Sequence, residues 1–394
     1  MQLRLGWLAE VLGDSPTLKL SSQAKALIAA GEPVINLTAG EPDFPTPEPV
    51  LQAARAALED GHIGYTASAG IPALRQKVAD YYTQATNMPV SPQEVIVSNG
   101  AKQVLYNVLS VLLNEGDKVA IPAPYWVTYP AQVAALRGQV IEVQPSQGWK
   151  VTVEDLERSG AKEARALILN SPSNPTGAVY TRAELEKLAE FCREGDFFIL
   201  TDEIYEDLVY TSEGHVSLVQ VAPDLQHRIV RISGLSKSYA MTGWRVGFGL
   251  APKETIDAMT RLQSHATSNV CTIAQKAALA AFDCRDTVET MRQAFHKRRD
   301  VLVNGLRDME GVTFEVPDGA FYLMLDCKGV MDLSKDEPGC WRLASHLLEH
   351  QKLATIPGAP FGAPGCLRLS FARGEDELRE AVARLKQGLQ EFPG

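Results

Sequence analysis

The sequence predicts an α/β fold: a largely parallel sheet covered by helices on both sides, with a second, smaller α+β unit after it. Two observations point there. From about residue 45 the chain alternates amphipathic helical windows with short β-branched runs, the pattern of strand–helix–strand crossovers. After Ala251 that alternation gives way to three helical stretches, the last near Thr287–Arg307, and then to strands and a closing helix at Glu375–Glu391.

In chain order, a helix at Ser21–Ala30 precedes the sheet and is expected to pack on the second unit. Helices follow at Pro49–Asp60, Pro72–Gln84, Lys102–Leu113, Tyr129–Arg137 and Arg182–Arg193, each with apolar residues at helical spacing. Thr181 and Glu184 read as a capping box opening the last of these. Strands are expected at Glu94–Ser98, Lys118–Ile121, Val140–Val143, Ala166–Leu169, Phe197–Leu200, Arg228–Ile232 and Arg245–Leu250. All are short and apolar, which predicts burial on both faces. The division that results is an amino-terminal segment (1–40), a large unit (41–290) and a small carboxyl-terminal unit (291–394).

The chain has 394 residues, room for two or three domains at about 100–200 residues each. With 45% hydrophobic and 22% charged residues it is neither disordered, collagen-like nor a coiled coil. A net charge of -10 repels phosphate backbones and anionic membranes, so neither nucleic acid nor membrane is an expected partner. Six cysteines show no C-x-x-C and no metal-finger spacing, which fits reduced thiols and a cytoplasmic location. Arg4, Glu10 and Asp14 interrupt any apolar run between Met1 and Ser15, so no secretory signal is expected there. His346-Leu347-Leu348-Glu349-His350 matches an inverted zinc-protease pattern, but it stands on an amphipathic helix away from the other polar motifs, and no metal is expected.

Ligands of open parallel sheets bind at the carboxyl ends of the strands, so the residues just beyond each strand carry the functional signal. Asn99-Gly100-Ala101-Lys102 opens a helix, whose free N–H groups and dipole suit a phosphate. Tyr125-Trp126 places an aromatic plane beyond the next strand. Then come Asn170 to Gly177, including Asn174-Pro175; Thr201-Asp202-Glu203-Ile204-Tyr205; and Ser233 to Lys237 with Arg245 eight positions on. An Asp after a strand commonly caps a helix, and most lysines are solvated. Here one crevice collects a helix N-terminus, an aromatic plane, an amide, a carboxylate, a phenol, a lysine and an arginine. Pyridoxal phosphate requires nearly that set: an amine for covalent attachment, an acid for its ring nitrogen, a phosphate cradle, donors to its phenolic oxygen and a stacking face.

These residues resemble a known family, the class I pyridoxal-phosphate aminotransferases (class I/II, fold type I), and most closely its bacterial aspartate aminotransferase branch. The resemblance covers nearly the whole chain and is carried by Ala39-Gly40-Glu41-Pro42-Asp43-Phe44, Tyr65, Gly100-Ala101-Lys102-Gln103, Tyr125-Trp126, Ser171 to Gly177, Asp202 to Tyr205, Ser236-Lys237 through Arg245, and Arg368-Leu369-Ser370.

It implies a fold type I large domain with a small α+β domain and pyridoxal 5'-phosphate as cofactor. Lys237 would carry the cofactor and later move a proton between substrate Cα and cofactor C4′. Asp202 would pair with the ring nitrogen, and Asn174 and Tyr205 with the phenolic oxygen. Gly100, Ala101, Ser236 and Arg245 would hold the phosphate, with Trp126 stacked on the ring. Arg368 would clamp the substrate α-carboxylate, helped by Asn174 and the backbone of Gly40. Tyr65 would reach a neighbouring subunit's phosphate, making the functional unit a homodimer.

The family's dedicated arginine for a side-chain carboxylate, found in animal-type aspartate enzymes, is not identifiable. In the branch resembled here a lysine opening the phosphate helix takes that role, which falls to Lys102; a lysine there can also serve the phosphate itself. The implied activity is transfer of an amino group from aspartate to 2-oxoglutarate by a ping-pong mechanism, on amino acid and 2-oxo acid substrates. Alternatives are an aminotransferase of aromatic, alanine or prephenate type, or a lyase on the same scaffold. A ligand-sensing transcription regulator would need a basic DNA-binding domain, which about 40 residues ahead of the sheet cannot supply.

Overall fold

The computed structural model describes residues 5–13, 16–331 and 339–393. Residues 1–4, 14, 15, 332–338 and 394, parts of the expected amino-terminal segment and carboxyl-terminal unit, lie outside the described residues. Helices occur at Glu48–Asp60, Pro72–Thr86, Ala101–Leu112, Thr128–Ala135, Arg182–Glu194 and Glu375–Glu391, close to the expected bounds. Thr181 and Glu184 form the expected capping box. Among the described residues the first predicted helix spans Pro16–Ala29, reaching further toward the amino terminus than the expected Ser21–Ala30.

β1 (Ile35–Asn36) stands outside the largest sheet. That sheet is built from β2 (Val95–Asn99), β3 (Lys118–Pro122), β4 (Gln139–Val143), β5 (Ala166–Asn170), β6 (Phe198–Asp202), β7 (Ile229–Gly234) and β8 (Val246–Leu250), in the order β2-β8-β7-β6-β5-β3-β4. Every pairing is parallel except those of β8, which runs antiparallel to β2 and β7. The reason is local. Between β7 and β8 the chain holds only a 3-10 turn at Thr242–Trp244, whereas a parallel return needs a crossover of about a dozen residues or more, usually a helix.

Alternation along a strand explains why the runs are apolar throughout. Leu167 and Leu169 of β5 enter one apolar cluster with Leu188 and Phe191, while Ile168 enters the cluster on the other face with Val104 and Leu109. β4 departs from the expectation of two buried faces: Gln139, Val140 and Glu142 are exposed and only Val143 is buried. It lies last in the order, but so does β2 at the other end, which packs against the helices Pro72–Thr86 and Ala101–Leu112 and is buried almost throughout; the cover over an end strand decides its exposure.

Beyond β9 (Thr313–Phe314) and β10 (Tyr322–Asp326), β11 (Leu353–Ala354) pairs in parallel with β1, and β12 (Ile356–Pro357) and β13 (Cys366–Ser370) complete an antiparallel sheet ordered β12-β13-β10-β9. The helix Arg285–Leu306 joins the two regions. Val288 near its start packs in the cluster of Val95, Val97 and Phe248, whereas Phe295, Leu302 and Leu306 pack with Leu323, Leu325 and Leu367. No described helix is long and apolar enough to cross a membrane.

Candidate active site

The carboxyl ends of β3, β5, β6 and β7 open into a cleft of about 680 Å³ whose far wall is Arg368 and Tyr322 of the carboxyl-terminal sheet. Gly40, Ala101, Lys102, Trp126, Asn174, Asp202, Tyr205, Ser236, Lys237, Arg245 and Arg368, eleven of the residues expected from sequence, line it. Gly100 and Tyr65 do not.

Asp202 closes β6 and is buried. Its Oδ2 accepts the Tyr129 hydroxyl at 2.7 Å and its Oδ1 the Ile204 N–H at 3.3 Å. Burial pushes the carboxyl up to about 6, against the pull of both donors. Asn170, at the end of β5, donates Nδ2 to the Asp202 carbonyl at 2.9 Å, tying the two strand ends together.

Lys237 follows β7 and donates Nζ to the Gly40 carbonyl at 2.5 Å. Burial pushes its amine down to about 8; Arg245, Arg368 and Lys102 push the same way, and Glu41 opposes them. An amine so placed spends an appreciable fraction of its time neutral near physiological pH, as a nucleophile or proton carrier must.

The Ala101–Leu112 helix begins at the cleft with Gly100 as N-cap and no side chain capping it. Gly100 has φ +83°, and a Cβ there would lie 2.3 Å from Arg245 Nη2. A Cβ on Gly247 would lie 2.2 Å from the Ala101 nitrogen. Both glycines thus let the helix N-terminus and the Arg245 guanidinium meet. Arg245, itself at φ +57°, is steered by the carbonyls of Thr242 (2.9 Å) and Asn99 (3.2 Å).

Opposite, Arg368 donates Nη1 to Asn174 Oδ1 and Nη2 to the Thr38 carbonyl, each at 3.0 Å, while its Nε has no partner among the described residues. Its guanidinium lies over the Tyr322 ring at 4.5 Å. Tyr322 in turn places its hydroxyl 3.1 Å from that of Tyr205. Lys102 Nζ sits 4.7 Å over the Trp126 ring, and Trp126 meets Tyr129 edge to face. Four cations and a single carboxylate therefore line the cleft among the described residues.

Comparison with known proteins decides the family. Residues 32–385 match the model of the aminotransferase class I and II family. The chain is 43% identical over 385 residues to an aspartate aminotransferase of Geobacillus stearothermophilus, covering 96% of this chain and 97% of that one. It is 41% identical to a probable aspartate/prephenate aminotransferase of Aquifex aeolicus, covering 97% of each. A solved Thermus thermophilus aspartate aminotransferase with maleate superposes at a TM-score of 0.92 and 39% identity, covering 98% of this chain and all of that one. The chain belongs to the class I and II aminotransferases.

As an aminotransferase it carries residues that fit pyridoxal 5'-phosphate. The excess of cations over carboxylates calls for a bound polyanion, and the shaved helix N-terminus beside Arg245 offers a place for a phosphate. Among the described residues Asp202 is a buried carboxylate without a cationic partner within ion-pair distance, which suits a protonated ring nitrogen. Asn174 accepts Arg368 Nη1 at its carbonyl oxygen, which leaves its N–H2 free of that contact and able to donate to a ligand.

Tyr65 is 94% exposed and takes no part in this chain's own cleft. The two histidines of the H-x-x-E-H pattern lie on the helix Gly339–Gln351 with ring centroids 4.6 Å apart, His346 packing on Phe392. Sequence reading placed Asn170 in the segment beyond a predicted strand without giving it a role, and it missed Tyr129 and Tyr322. Tyr129 opens a predicted helix and Tyr322 begins an observed strand for which no bounds were expected, so neither carried the signal of a polar residue past a buried strand.

Proposed function

We propose that this aminotransferase acts on aspartate, transferring its amino group to 2-oxoglutarate to give oxaloacetate and glutamate by a ping-pong cycle with pyridoxal 5'-phosphate. One observation carries the reading: Lys237, with its amine pushed down to about 8, shares a cleft with the uncompensated Asp202 carboxylate, a phosphate-ready helix N-terminus and the Arg368 fork. The relatives' names and the dicarboxylate maleate in the Thermus protein support an acidic substrate.

When bound, the cofactor supplies an electron sink that makes the substrate Cα proton acidic. Arg368 fixes the α-carboxylate through two parallel N–H donors, and so sets which Cα bond faces Lys237. Lys237 Nζ takes the Cα proton and returns it on the other side of the transfer. Asp202 holds the ring nitrogen protonated, Tyr205 and Asn174 donate to the phenolic oxygen, and Gly100, Ala101, Ser236 and Arg245 bind the phosphate while Trp126 covers the ring. Lys102, whose amine burial and Arg245 both lower, faces the substrate's distal carboxylate.

The working form is a homodimer in which Tyr65 completes the neighbour's phosphate site, in keeping with its exposure. The enzyme is cytoplasmic, and its units are 1–40 with 291–394 on one side and 41–290 on the other, as the β1–β11 pairing suggests. The Aquifex relative's name favours prephenate as a second substrate, tested by supplying it with aspartate.

The deciding experiment mixes the cofactor-loaded protein with single amino acids and no acceptor. Aspartate should convert the visible spectrum to the pyridoxamine form, and borohydride should fix the cofactor to Lys237. Attachment to another lysine, or pyruvate or ammonia release instead of conversion, overturns the proposal.

A further inference from the structure

Two polar cleft residues, Asp202 at the end of β6 and Tyr205 beyond it, are each followed by a glutamate that does not line the cleft: Asp202 by Glu203 and Tyr205 by Glu206. Glu203 is buried and accepts Arg231 Nε at 3.1 Å, Arg231 Nη2 at 2.8 Å and the Ser217 hydroxyl at 2.7 Å, with His215 Nε2 at 3.1 Å. Glu206 accepts the hydroxyls of Tyr82 at 2.5 Å and Ser233 at 2.7 Å, and its other oxygen lies 3.6 Å from the same Arg231 Nη2. The Tyr82 ring closes over the guanidinium at 4.5 Å. Arg231 and Ser233 belong to β7, the strand that leads to Lys237.

Glu203, Glu206 and His215 also bring their ligand atoms within 4.8 Å of one another, the spacing of a metal site. The guanidinium already set between the two carboxylates supplies the positive charge there, so a cation is not what the cluster needs. Nor is stability a sufficient reason for it: apolar residues of similar volume commonly replace a buried ion triad with no loss, or with a gain. Burial alone would raise Glu203, but Arg231, His215 and Ser217 outweigh it and hold that carboxyl well below the usual range, whereas burial pushes Glu206 up to about 7 despite Arg231.

We propose that Glu203, Arg231 and Glu206 form a positioning triad that fixes the spacing of Asp202 and Tyr205 and locks both to β7, the strand that leads to Lys237, without touching substrate or cofactor. Two anchors placed one residue after each cleft side chain set the direction of that side chain from behind. One arginine shared by both anchors makes the two settings dependent on each other. For its catalytic consequence the proposal rests on the pyridoxal-phosphate reading above.

The test uses the full chain with the triad neutralised, Glu203→Gln, Glu206→Gln and Arg231→Met together, and Glu206→Gln alone as a milder variant should the triple one not fold. Without cofactor, amide hydrogen exchange over residues 202–206 should be at least tenfold faster in the triple variant and severalfold faster in Glu206→Gln, with melting temperatures within a few degrees of the parent. With pyridoxal 5'-phosphate, the pH midpoint of the visible absorption should move by at least half a unit in both, a change that a merely structural role would not produce. Parental exchange and a parental midpoint in a folded variant overturn the proposal. If the parent itself develops no visible band with the cofactor, the pyridoxal-phosphate reading fails, and the exchange rates still decide the triad.

Discussion

The large sheet and the carboxyl-terminal sheet contribute to one cleft in different ways. In the large sheet the chemically important groups stand where strands stop: Asp202 is the last residue of β6, Lys237 follows β7, and Arg245 immediately precedes β8. In the carboxyl-terminal sheet Arg368 lies in the middle of β13, opposite Met324 of β10, and Tyr322 begins β10 opposite Ser370. The first arrangement leaves an amine and a carboxylate with few partners, and their pKa values move toward neutrality, to about 8 and about 6. The second grips a guanidinium between the Asn174 and Thr38 oxygens and two aromatic rings. Strand ends thus supply groups poised to change protonation, whereas a strand interior supplies a rigid fork that stays charged.

The sharpest way to break this contrast is to remove the group at a strand end. Lys237→Ala should bind cofactor yet lose turnover by about 10⁴-fold or more, roughly 5 kcal/mol or above, because attachment and proton transfer go together. Single-turnover kinetics with aspartate measure this, and a loss below tenfold would place the proton carrier elsewhere. The matching change in the strand interior is Arg368→Lys, which keeps the charge and loses the fork. Here kcat/KM for every amino acid should fall by about 10²–10³, roughly 3–4 kcal/mol, with cofactor uptake unchanged. Weakened cofactor binding would show that Arg368 does not read the substrate.

Asp202 tests the same contrast through stability. Its folded pKa is raised from 3.8 to about 6, so the folded cofactor-free chain is favoured by this group below about pH 4 and loses that contribution as pH rises through about 6. Cofactor-free Asp202→Asn should therefore exceed the parent by about 2–3 kcal/mol at pH 7–8 and match it near pH 4. With cofactor bound the order should reverse, since the amide cannot hold the ring nitrogen protonated. Denaturant melts at several pH values give both numbers; a pH-independent gap would remove the burial explanation. The smallest effect expected is from Lys102→Ala, about 1.5–3 kcal/mol lost for aspartate and glutamate while apolar donors hold steady. Equal losses for acidic and apolar donors would assign Lys102 to the phosphate and leave the acidic preference without a residue.

The same contrast explains what could be read in the sequence. Lys237, Asp202 and Asn174 were visible because they follow apolar runs that can only be buried strands, so a polar residue there is out of place unless a ligand uses it. Tyr129 was hidden because it sits in the first turn of a helix, where a tyrosine passes for core, and only the chain's path brings its hydroxyl to Asp202. Tyr322 was hidden in the same way within a strand. Arg368 was legible only through the resemblance, since an arginine inside an antiparallel strand is usually a solvated edge residue. The exposure of β4 was misjudged because it depends on which elements cover an end strand, β2 being covered more fully than β4, and hydrophobic runs do not encode that. Glu203 and Glu206 stood in plain view beside the motif, but their partners Arg231, His215 and Tyr82 come from three separate stretches of chain.

The helix Arg285–Leu306 carries one further consequence. Its first turn is sunk among Val95, Val97 and Phe248 and its later turns among Leu323, Leu325 and Leu367, so one continuous hydrogen-bonded rod is a structural member of both cores. Melting the first core strips the first turn of that rod of its packing, and melting the second strips the turns from Met291 onward. Two sheets with separate interiors should accordingly denature as a single cooperative block, giving one calorimetric peak whose van't Hoff and calorimetric enthalpies agree. Cutting the chain near position 290 should yield two insoluble fragments, each exposing a greasy stub of the same helix, and co-expressing them is the only route by which the halves should recover a folded protein.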